Sequence, residues 1–498
     1  MSMRDSSVRR KIDLAIIAYL SVCLGIAFSI VLPSLQPFIL SQPSDSPSGL
    51  NGSPTMYSLV VAIFSVGEFF GAILLAGFDR KVSIATLFRV SSFIGLIGSA
   101  IYALSSHVAM AIVGRFLTGL WAGALNALIR AYITQSTNRD NISQLMVIVA
   151  FFITMSMTVG PVFGGLFSQT AAGDGMFRFD AYRGPGWILS VLCCIAILVL
   201  FFFKETPDFH QSEGKQLIQR DCDIEPEKNS LWVTNGASSW AILLTLATFF
   251  IFSLGWSIVE TMATPILRDS YGMNVAQTSN IFLIAGAANL ATFIALFLIK
   301  KFTSRMNDRF QCIVALVCCI ASSIILMDWQ SLSFDECNAW SCNSSSAFCN
   351  QSSTICEMQP LCVWNQNGLY GVCADCLPLC QNPSLLLNIV QMYVGFIFMN
   401  IGFPAGRVGA GAFYSQILQG TKSGFMQGII VASGSAARIT APLIAVVLYE
   451  AVTRHTYVLM SCLLAIFLAC FCAQIAFYKK LGDQIGVNVK QSQNYEVH

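Results

Sequence analysis

The feature that most constrains this chain is a series of apolar segments, each long enough to cross a lipid bilayer. A spanning helix needs about 20 mostly apolar residues, because the hydrocarbon core of a bilayer is ~30 Å thick. Twelve segments reach or approach that length: 13–35, 57–78, 84–105, 108–134, 143–168, 187–203, 240–267, 277–299, 310–327, 384–406, 424–449 and 456–478. Because helices satisfy their own backbone groups in lipid, the pattern predicts an all-α membrane protein with twelve transmembrane helices.

The composition agrees with a membrane protein and excludes several functions. Of 498 residues, 55% are hydrophobic and only 11% are charged, whereas soluble domains carry about 25% charged residues. A net charge of +2 without a basic patch argues against nucleic acid as a partner. We find no Walker A motif, nucleophile constellation or metal-ligand cluster, so the sequence predicts neither an enzyme, an ATP-driven pump nor a cofactor.

The distribution of basic residues predicts the orientation in the membrane. An even number of spans places both termini on one side, and cytosolic loops carry an excess of Lys and Arg. Nineteen Lys and Arg lie in the termini and loops on the amino-terminal side, against four on the other side. We therefore predict that both termini are cytosolic.

The polar stretch 204–239 divides the spans six and six. Its charge density predicts a cytosolic linker between an N-terminal six-helix bundle, 1–203, and a C-terminal bundle, 240–498. The halves also echo each other, since RFLTGLWAG at 115–123 resembles NIGFPAGRVGAG at 400–411. Two such pseudo-repeats are typical of transporters that bind substrate between their halves at mid-membrane.

The segment 328–383 contains no Lys or Arg, which predicts a luminal loop, and it is rich in cysteine. Its eight cysteines are Cys337, Cys342, Cys349, Cys356, Cys362, Cys373, Cys376 and Cys380. An oxidising lumen favours disulfides, whose pairing the sequence leaves open. Zinc is the alternative because Cys373 and Cys376 have ligand spacing, but no histidine lies near. Luminal sequons predict glycosylation at Asn51, Asn343 and Asn350.

Seven ionisable residues lie within the predicted spans: Glu68, Arg89, Arg115, Arg130, Glu260, Arg407 and Arg438. Charged groups in lipid are costly and usually face a water-filled pathway or an ion-pair partner. Arg89 is close enough to the cytosolic end of its span to snorkel, and Arg130 and Arg407 fit either snorkelling or a pathway role. Five arginines against two glutamates give a positive pathway, which favours anionic substrates.

The four deeper residues, Glu68, Arg115, Glu260 and Arg438, are predicted to face the pathway or to form charge pairs, with Glu260 as the partner of Arg438. A carboxylate in a low-dielectric site can take up and release a proton, so Glu68 and Glu260 are candidate proton carriers. The other interpretation is that Glu260 only neutralises an arginine.

Small residues and prolines predict close, pliable helix packing. Gly119 and Gly123 lie four residues apart on one helix face, the pattern that lets helices approach closely. Gly160, Pro161 and Gly164 predict a pliable helix on which the halves rock. One further helix breaker is Pro265.

These motifs resemble the major facilitator superfamily, and the resemblance covers nearly the whole chain. Arg115 followed by Gly119 is similar to that family's fourth-helix motif, and the Gly160–Gly164 stretch to its fifth-helix Gly-Pro motif. Asp79 and Arg80 resemble its signature after the second helix, which implies a cytosolic latch, although Leu75 stands at the usual Gly.

A narrower resemblance is to the lysosomal branch of that superfamily, which includes the protein defective in a late-infantile neuronal ceroid lipofuscinosis. It rests on IVETMATPILRDSY at 258–271, IGFPAG at 401–406, FYSQIL at 413–418 and ASGSAARITAP at 432–442. Arg130, Glu260, Pro265 and Arg438 match that branch by residue type, whereas Glu68 and Arg407 do not. The resemblance implies an endolysosomal membrane.

A cytosolic sorting signal agrees with that location. Glu213 followed by Leu217 and Ile218 has the acidic dileucine form, which predicts sorting adaptors as partners. Taken together, the sequence predicts a secondary active transporter of small, anionic solutes that works by alternating access. Two alternatives stay open: a chloride-type anion channel on the same fold, and a scaffold that transports nothing.

Overall fold

The computed structural model describes the helical part of the chain and a short hairpin. The described residues are 3–31, 35, 54–137, 139–166, 183–203, 239–271, 275–302, 307–327, 362–364, 370–372, 385–418, 424–451 and 456–478. Twelve long helices account for nearly all of them: α1 Met3–Ser29, α2 Pro54–Leu74, α3 Ile84–Ala103, α4 Val108–Ser136, α5 Arg139–Leu166, α6 Gly184–Leu200, α7 Ser239–Tyr271, α8 Val275–Phe302, α9 Asp308–Ile325, α10 Leu385–Ile417, α11 Gly424–Ala451 and α12 Thr456–Ala476. A 3-10 helix, Ala76–Arg80, follows α2.

The twelve helices overlap the twelve predicted spans, and the predicted all-α membrane fold is confirmed. Within the described residues, nine helical stretches are long and apolar enough to cross a membrane, and Asn141–Met157 and Gly184–Leu200 are shorter apolar helices. The end of α10 differs most from the prediction, because the helix continues past Pro404 to Ile417 instead of ending at 406. Packed neighbours can satisfy the backbone groups that a proline frees, so the helix need not stop there.

Contacts between helix ends agree with helices that alternate in direction along the chain. Trp240 at the start of α7 packs on Phe477 just after α12, with ring centroids 5.3 Å apart. Arg89 near the start of α3 donates from Nε and Nη2 to the carbonyl oxygen of Leu200 at the end of α6, at 3.3 and 3.2 Å. We call the face at which α1 begins and α12 ends the terminal face, and the opposite one the far face.

The helices pack in the same order in each half of the chain. In the first half α1 packs on α5, α2 on α4, and α3 on both α4 and α6. In the second half α7 packs on α11, α8 on α10, and α9 on both α10 and α12, which is the first set advanced by six helices. The contacts between halves obey the same rule, since α2 packs on α11 and α8 on α5. Two six-helix pseudo-repeats therefore build the fold.

Glycines set the closest helix contact, which joins α2 and α4. Gly119 and Gly123 both lie against the backbone of α2, and a Cβ at Gly123 would lie 1.9 Å from the carbonyl oxygen of Glu68. A Cβ at Gly71 of α2 would likewise lie 1.9 Å from the carbonyl oxygen of Leu120 in α4. Because no side chain separates the two backbones, this contact fixes the height of Glu68 in the membrane.

The apolar core joins the two halves near the terminal face. One cluster combines α1–α6 residues such as Trp121 and Leu128 with Phe249, Tyr414 and Met426 from the second half. Toward the far face, a separate cluster consists of residues from the first half alone: Ile26, Ile30, Val31, Leu35, Val60, Tyr102 and Ala111. Shared apolar packing therefore holds the halves together at the terminal face.

Several predicted features lie outside the described residues. In the cysteine-rich segment, Cys362–Trp364 pairs antiparallel with Tyr370–Val372, so that Cys362 stands opposite Val372. The remaining calls outside the described residues are Cys337, Cys342, Cys349, Cys356, Cys373, Cys376, Cys380, Asn51, Asn343, Asn350, Glu213, Leu217 and Ile218. Disulfides, glycosylation and the adaptor motif therefore stay predictions, as do the domain boundaries around 204–239.

Candidate functional site

An ion pair joins the two halves near the middle of the membrane. Nη2 of Arg438 in α11 lies 2.5 Å from Oε2 of Glu68 in α2, and their side chains are 13% and 4% exposed. Arg438 also lies over the ring of Phe28 in α1, 5.8 Å from its centroid. The insertion cost of the guanidinium is therefore offset by a carboxylate from the opposite half.

The partner predicted for Arg438 was wrong. Glu260 of α7 was the predicted partner, yet the ion pair is made by Glu68. Glu260 interacts instead with the indole of Trp256, one helical turn earlier, while remaining in the electrostatic field of Arg438 and Arg407. Both α2 and α7 pack on α11, but the carboxylate that reaches the Arg438 guanidinium is that of Glu68.

Two further arginines, one from each half, face the same aromatic ring. The Cζ atoms of Arg130 in α4 and Arg407 in α10 lie 5.7 and 5.2 Å from the ring centroid of Phe249 in α7. Nε of Arg130 donates to Oδ1 of Asn126 at 3.2 Å. A Cβ at Gly411 of α10 would lie 2.8 Å from Nη1 of Arg130, so this guanidinium rests on the opposite half.

These five groups form one electrostatic cluster. We call Glu68, Arg130, Glu260, Arg407 and Arg438 the charged cluster. Arg407 senses the other four, with repulsion from the two arginines and attraction to the two glutamates. Four members, all but Glu68, keep part of their surface accessible although protein atoms surround them. The charged cluster has more cations than carboxylates.

Within the part of the chain that the structure describes, the Arg407 guanidinium forms no ion pair and no hydrogen bond. Its Cζ atom lies 5.2 Å from the ring centroid of Phe249 and 5.8 Å from that of Phe403. Like-charged Arg130 lies near it. Two neighbouring guanidinium groups in a low-dielectric interior repel each other, so the site is electrostatically prepared for an anion.

An aromatic pair adjoins the charged cluster. Trp256 of α7 and Phe403 of α10 stack with centroids 4.4 Å apart and an interplanar angle of 13°. Each ring lies one turn from a charged residue on its own helix, since Glu260 follows Trp256 by four positions and Arg407 follows Phe403 by four. The sequence analysis does not single out these rings. An aromatic residue four positions before a charged residue in a span is the pattern that would indicate them.

The structure places two predicted arginines away from the cluster. Arg115 is 1% exposed, donates from Nη1 to the carbonyl oxygen of Ala27 at 3.0 Å and covers the ring of Phe64 at 4.4 Å. It therefore holds α1, α2 and α4 together within the first half. Arg89 binds the last carbonyl of α6, as a cation near a helix C-terminus does.

Two polar contacts between halves close the terminal face. Oδ2 of Asp79 accepts a hydrogen bond from the backbone N–H of Gly424, the first residue of α11, at 2.5 Å. Asp308 at the start of α9 accepts a hydrogen bond from Ser143 of α5 at 2.7 Å and forms an ion pair with Lys300. Since α2 corresponds to α8 and α11 to α5, the two contacts are related by the pseudo-repeat.

Some of the predicted conformational residues are placed only by their backbone. Gly160 packs against α1, where a Cβ would lie 2.0 Å from Oγ of Ser29. Pro161 and Gly164 lie in α5, and Pro265 lies in α7. Their predicted roles, and that of Arg80, stay predictions.

Comparisons with known proteins agree with this architecture. The chain is 22% identical over 488 residues to Major facilitator superfamily domain-containing protein 8 of Xenopus laevis, which covers 93% of this chain and 91% of that protein. Two solved structures share the fold. The human organic anion transporter MFSD10 (TETRAN) has a TM-score of 0.58 at 14% identity, covering 93% of this chain and 99% of its own.

The second solved structure is the proton:xylose symporter XylE bound to 6-bromo-6-deoxy-D-glucose. Its TM-score is 0.67 at 12% identity, and the match covers 95% of this chain and 96% of that protein. A sequence profile of the Major Facilitator Superfamily matches residues 17–347. With its two six-helix pseudo-repeats and a charged cluster at their interface, this chain belongs to the Major Facilitator Superfamily.

Proposed function

We propose that this protein is a secondary active transporter of small anionic solutes, and that the charged cluster binds the anion. The observation that carries the proposal is the placement of Arg130 and Arg407, which approach one ring from opposite halves. Among the described residues no carboxylate forms an ion pair with either guanidinium. An anion between them would relieve their repulsion and be held by both halves at once.

The contacts between the halves support alternating access. The shared core and the contacts of Asp79 and Asp308 support a state that is closed at the terminal face. A secondary transporter opens and closes its two faces in turn by rocking one half against the other. In the opposite state the halves separate at the terminal face, and α11 moves away from α2.

Arg438 has one carboxylate near it in each half of the protein, Glu68 in the first and Glu260 in the second. In the present state it pairs across the halves with Glu68. When α11 leaves α2, Glu260 of α7, in the same half as Arg438, becomes the partner that prevents a buried unpaired charge.

Proteoliposome transport tests the proposed function. Comparing the metabolites of purified lysosomes with and without the protein nominates the solute, whose uptake is then measured on the reconstituted full chain. Arg130→Gln and Arg407→Gln are expected to lower saturable uptake at least about tenfold, as loss of a charge-assisted bond does. Arg309→Gln, which removes a contact with Tyr478 at the terminal face, is the matched control.

Two results would contradict the proposed function. Full uptake by both arginine variants at normal abundance contradicts an anion site in the charged cluster. Currents that follow the chloride gradient without saturation indicate the channel instead. The endolysosomal location, also proposed, is tested by Leu217→Ala with Ile218→Ala, which should move the protein to the cell surface.

A further inference from the structure

The stacked pair of Trp256 and Phe403 presents a flat apolar surface beside the charged cluster. Phe403 is 8% exposed, whereas Trp256 is less deeply buried. The Glu260 carboxylate interacts with the indole and so fixes its orientation. A rigid, oriented and partly accessible indole inside a membrane protein is available for a planar ligand.

The order of groups along the two helices gives this surface a polarity. Helices α7 and α10 run in opposite directions, so Arg407 lies on the terminal side of the stack and Glu260 on the far side. The Arg407 guanidinium is 5.8 Å from the Phe403 ring. A ligand lying on Trp256 therefore has a cation at one end and a carboxylate at the other.

We propose that the substrate is an organic anion with a flat, apolar body, and this inference rests on the proposed function. Its carboxylate binds between Arg407 and Arg130, and its body lies on the accessible part of Trp256. Glu260 repels a carboxylate, so the ligand enters with its charge toward the arginines. Chloride or inorganic phosphate would leave the aromatic surface unused.

The charge of the cluster separates this class from zwitterions. With both glutamates ionised, three arginines and two glutamates leave one positive charge, which a monoanion neutralises and a zwitterion does not. A ligand with an ammonium group would instead use Glu260 together with the indole face. Phenylacetate, acetate and phenylalanine are therefore suitable probes, because they share a carboxylate and differ in the ring and the amine.

Binding is measured on the full chain in lipid nanodiscs by the thermal shift that each sodium salt causes at equal ionic strength. Phenylacetate is expected to bind roughly two- to tenfold more tightly than acetate, the range that one aromatic stacking contact supplies. Trp256→Leu should lower the affinity for phenylacetate to that for acetate. Trp240→Leu, on the same helix and stacked on Phe477, should change neither.

Each outcome tests either the aromatic inference or the proposed function. Equal affinity for phenylacetate and acetate, or an unchanged preference in Trp256→Leu, overturns the aromatic inference while leaving the anion site in place. Tighter binding of phenylalanine than of phenylacetate overturns it in favour of a zwitterion. If neither carboxylate binds and Arg407→Gln changes nothing, the proposed function itself fails. Should Trp256→Leu not fold, Trp256→Phe keeps a ring and is expected to retain part of the preference.

Discussion

Arg438 of α11 and Glu68 of α2 form an ion pair that connects the two halves of the protein inside the membrane. Arginine is suited to this position because its planar guanidinium forms charge-assisted hydrogen bonds with a carboxylate. The pair has a second carboxylate beside it, since Glu260 lies in the electrostatic field of Arg438. Substituting Arg438 and substituting Glu68 should therefore have unequal effects on stability.

Arg438→Gln should destabilise the protein more than Glu68→Gln does. The first change leaves two carboxylates without their cation and is expected to cost roughly 3–5 kcal/mol, as breaking a buried ion pair does. The second leaves Arg438 with Glu260 and should cost less. Unfolding in mixed micelles titrated with dodecyl sulfate measures both. Combining the two changes should recover part of the loss, and strictly additive losses would contradict a direct pair.

Gly123→Ala should be destabilising although the change is only one methyl group. A Cβ there would lie 1.9 Å from the Glu68 carbonyl oxygen, so α2 and α4 must separate, at a cost of roughly 1–3 kcal/mol. Gly77→Ala is the matched control, since its nearest neighbour would be a side-chain carbon of Phe425 at 3.5 Å. Thermal unfolding that is the same for both variants would show that the backbone contact is not close in solution.

Asp308→Asn should open the terminal face. It removes the partner of buried Lys300 and weakens the contact with Ser143 of the other half. Spin labels at exposed positions 81 and 301, in a background without the exposed native cysteines, should report a larger population of long distances. Arg309→Gln breaks a contact within the second half alone and serves as control. An unchanged distance distribution in Asp308→Asn would argue against a lock at this face.

Asn343→Gln and Asn350→Gln should each lower the apparent mass by one glycan, and glycosidase treatment of the unsubstituted protein should remove both glycans together with the one predicted at Asn51. The physical reason is the predicted luminal position of 328–383, in a loop without basic residues. A protein whose mass is unaffected by glycosidase, together with protease cleavage of this loop from the cytosolic side, would reverse the predicted orientation.

The membrane fold could be predicted because it depends on local features of the chain. Apolar length and the avoidance of charge set each helix independently of its neighbours, so Met3–Ser29 through Thr456–Ala476 overlap the predicted segments. The spacing of Gly119 and Gly123 likewise marks a helix face without reference to the partner helix. The signature after α2 includes Asp79, which contacts α11 although Leu75 stands at the position where the signature usually has glycine.

The composition of the site could be predicted only in part. Five of the seven ionisable residues singled out in the spans, Glu68, Arg130, Glu260, Arg407 and Arg438, do form one cluster. Arg115 was predicted to join them, but it turns into the first half and binds the carbonyl of Ala27. A one-dimensional pattern shows that a charge needs a partner, and it does not show on which side of the helix the partner stands.

The sequence by itself determined that this protein lies in a membrane, how many helices it has and which residue types are too costly to face lipid. Only the tertiary structure decided that Arg438 pairs with Glu68 instead of Glu260, and that Trp256 and Phe403 stack beside Arg407. The physical reason is range: hydropathy acts residue by residue along a helix, whereas an ion pair or a ring stack requires atoms to meet within a few ångströms. Such meetings depend on how α2, α7, α10 and α11 pack across the pseudo-repeat, which no single segment encodes.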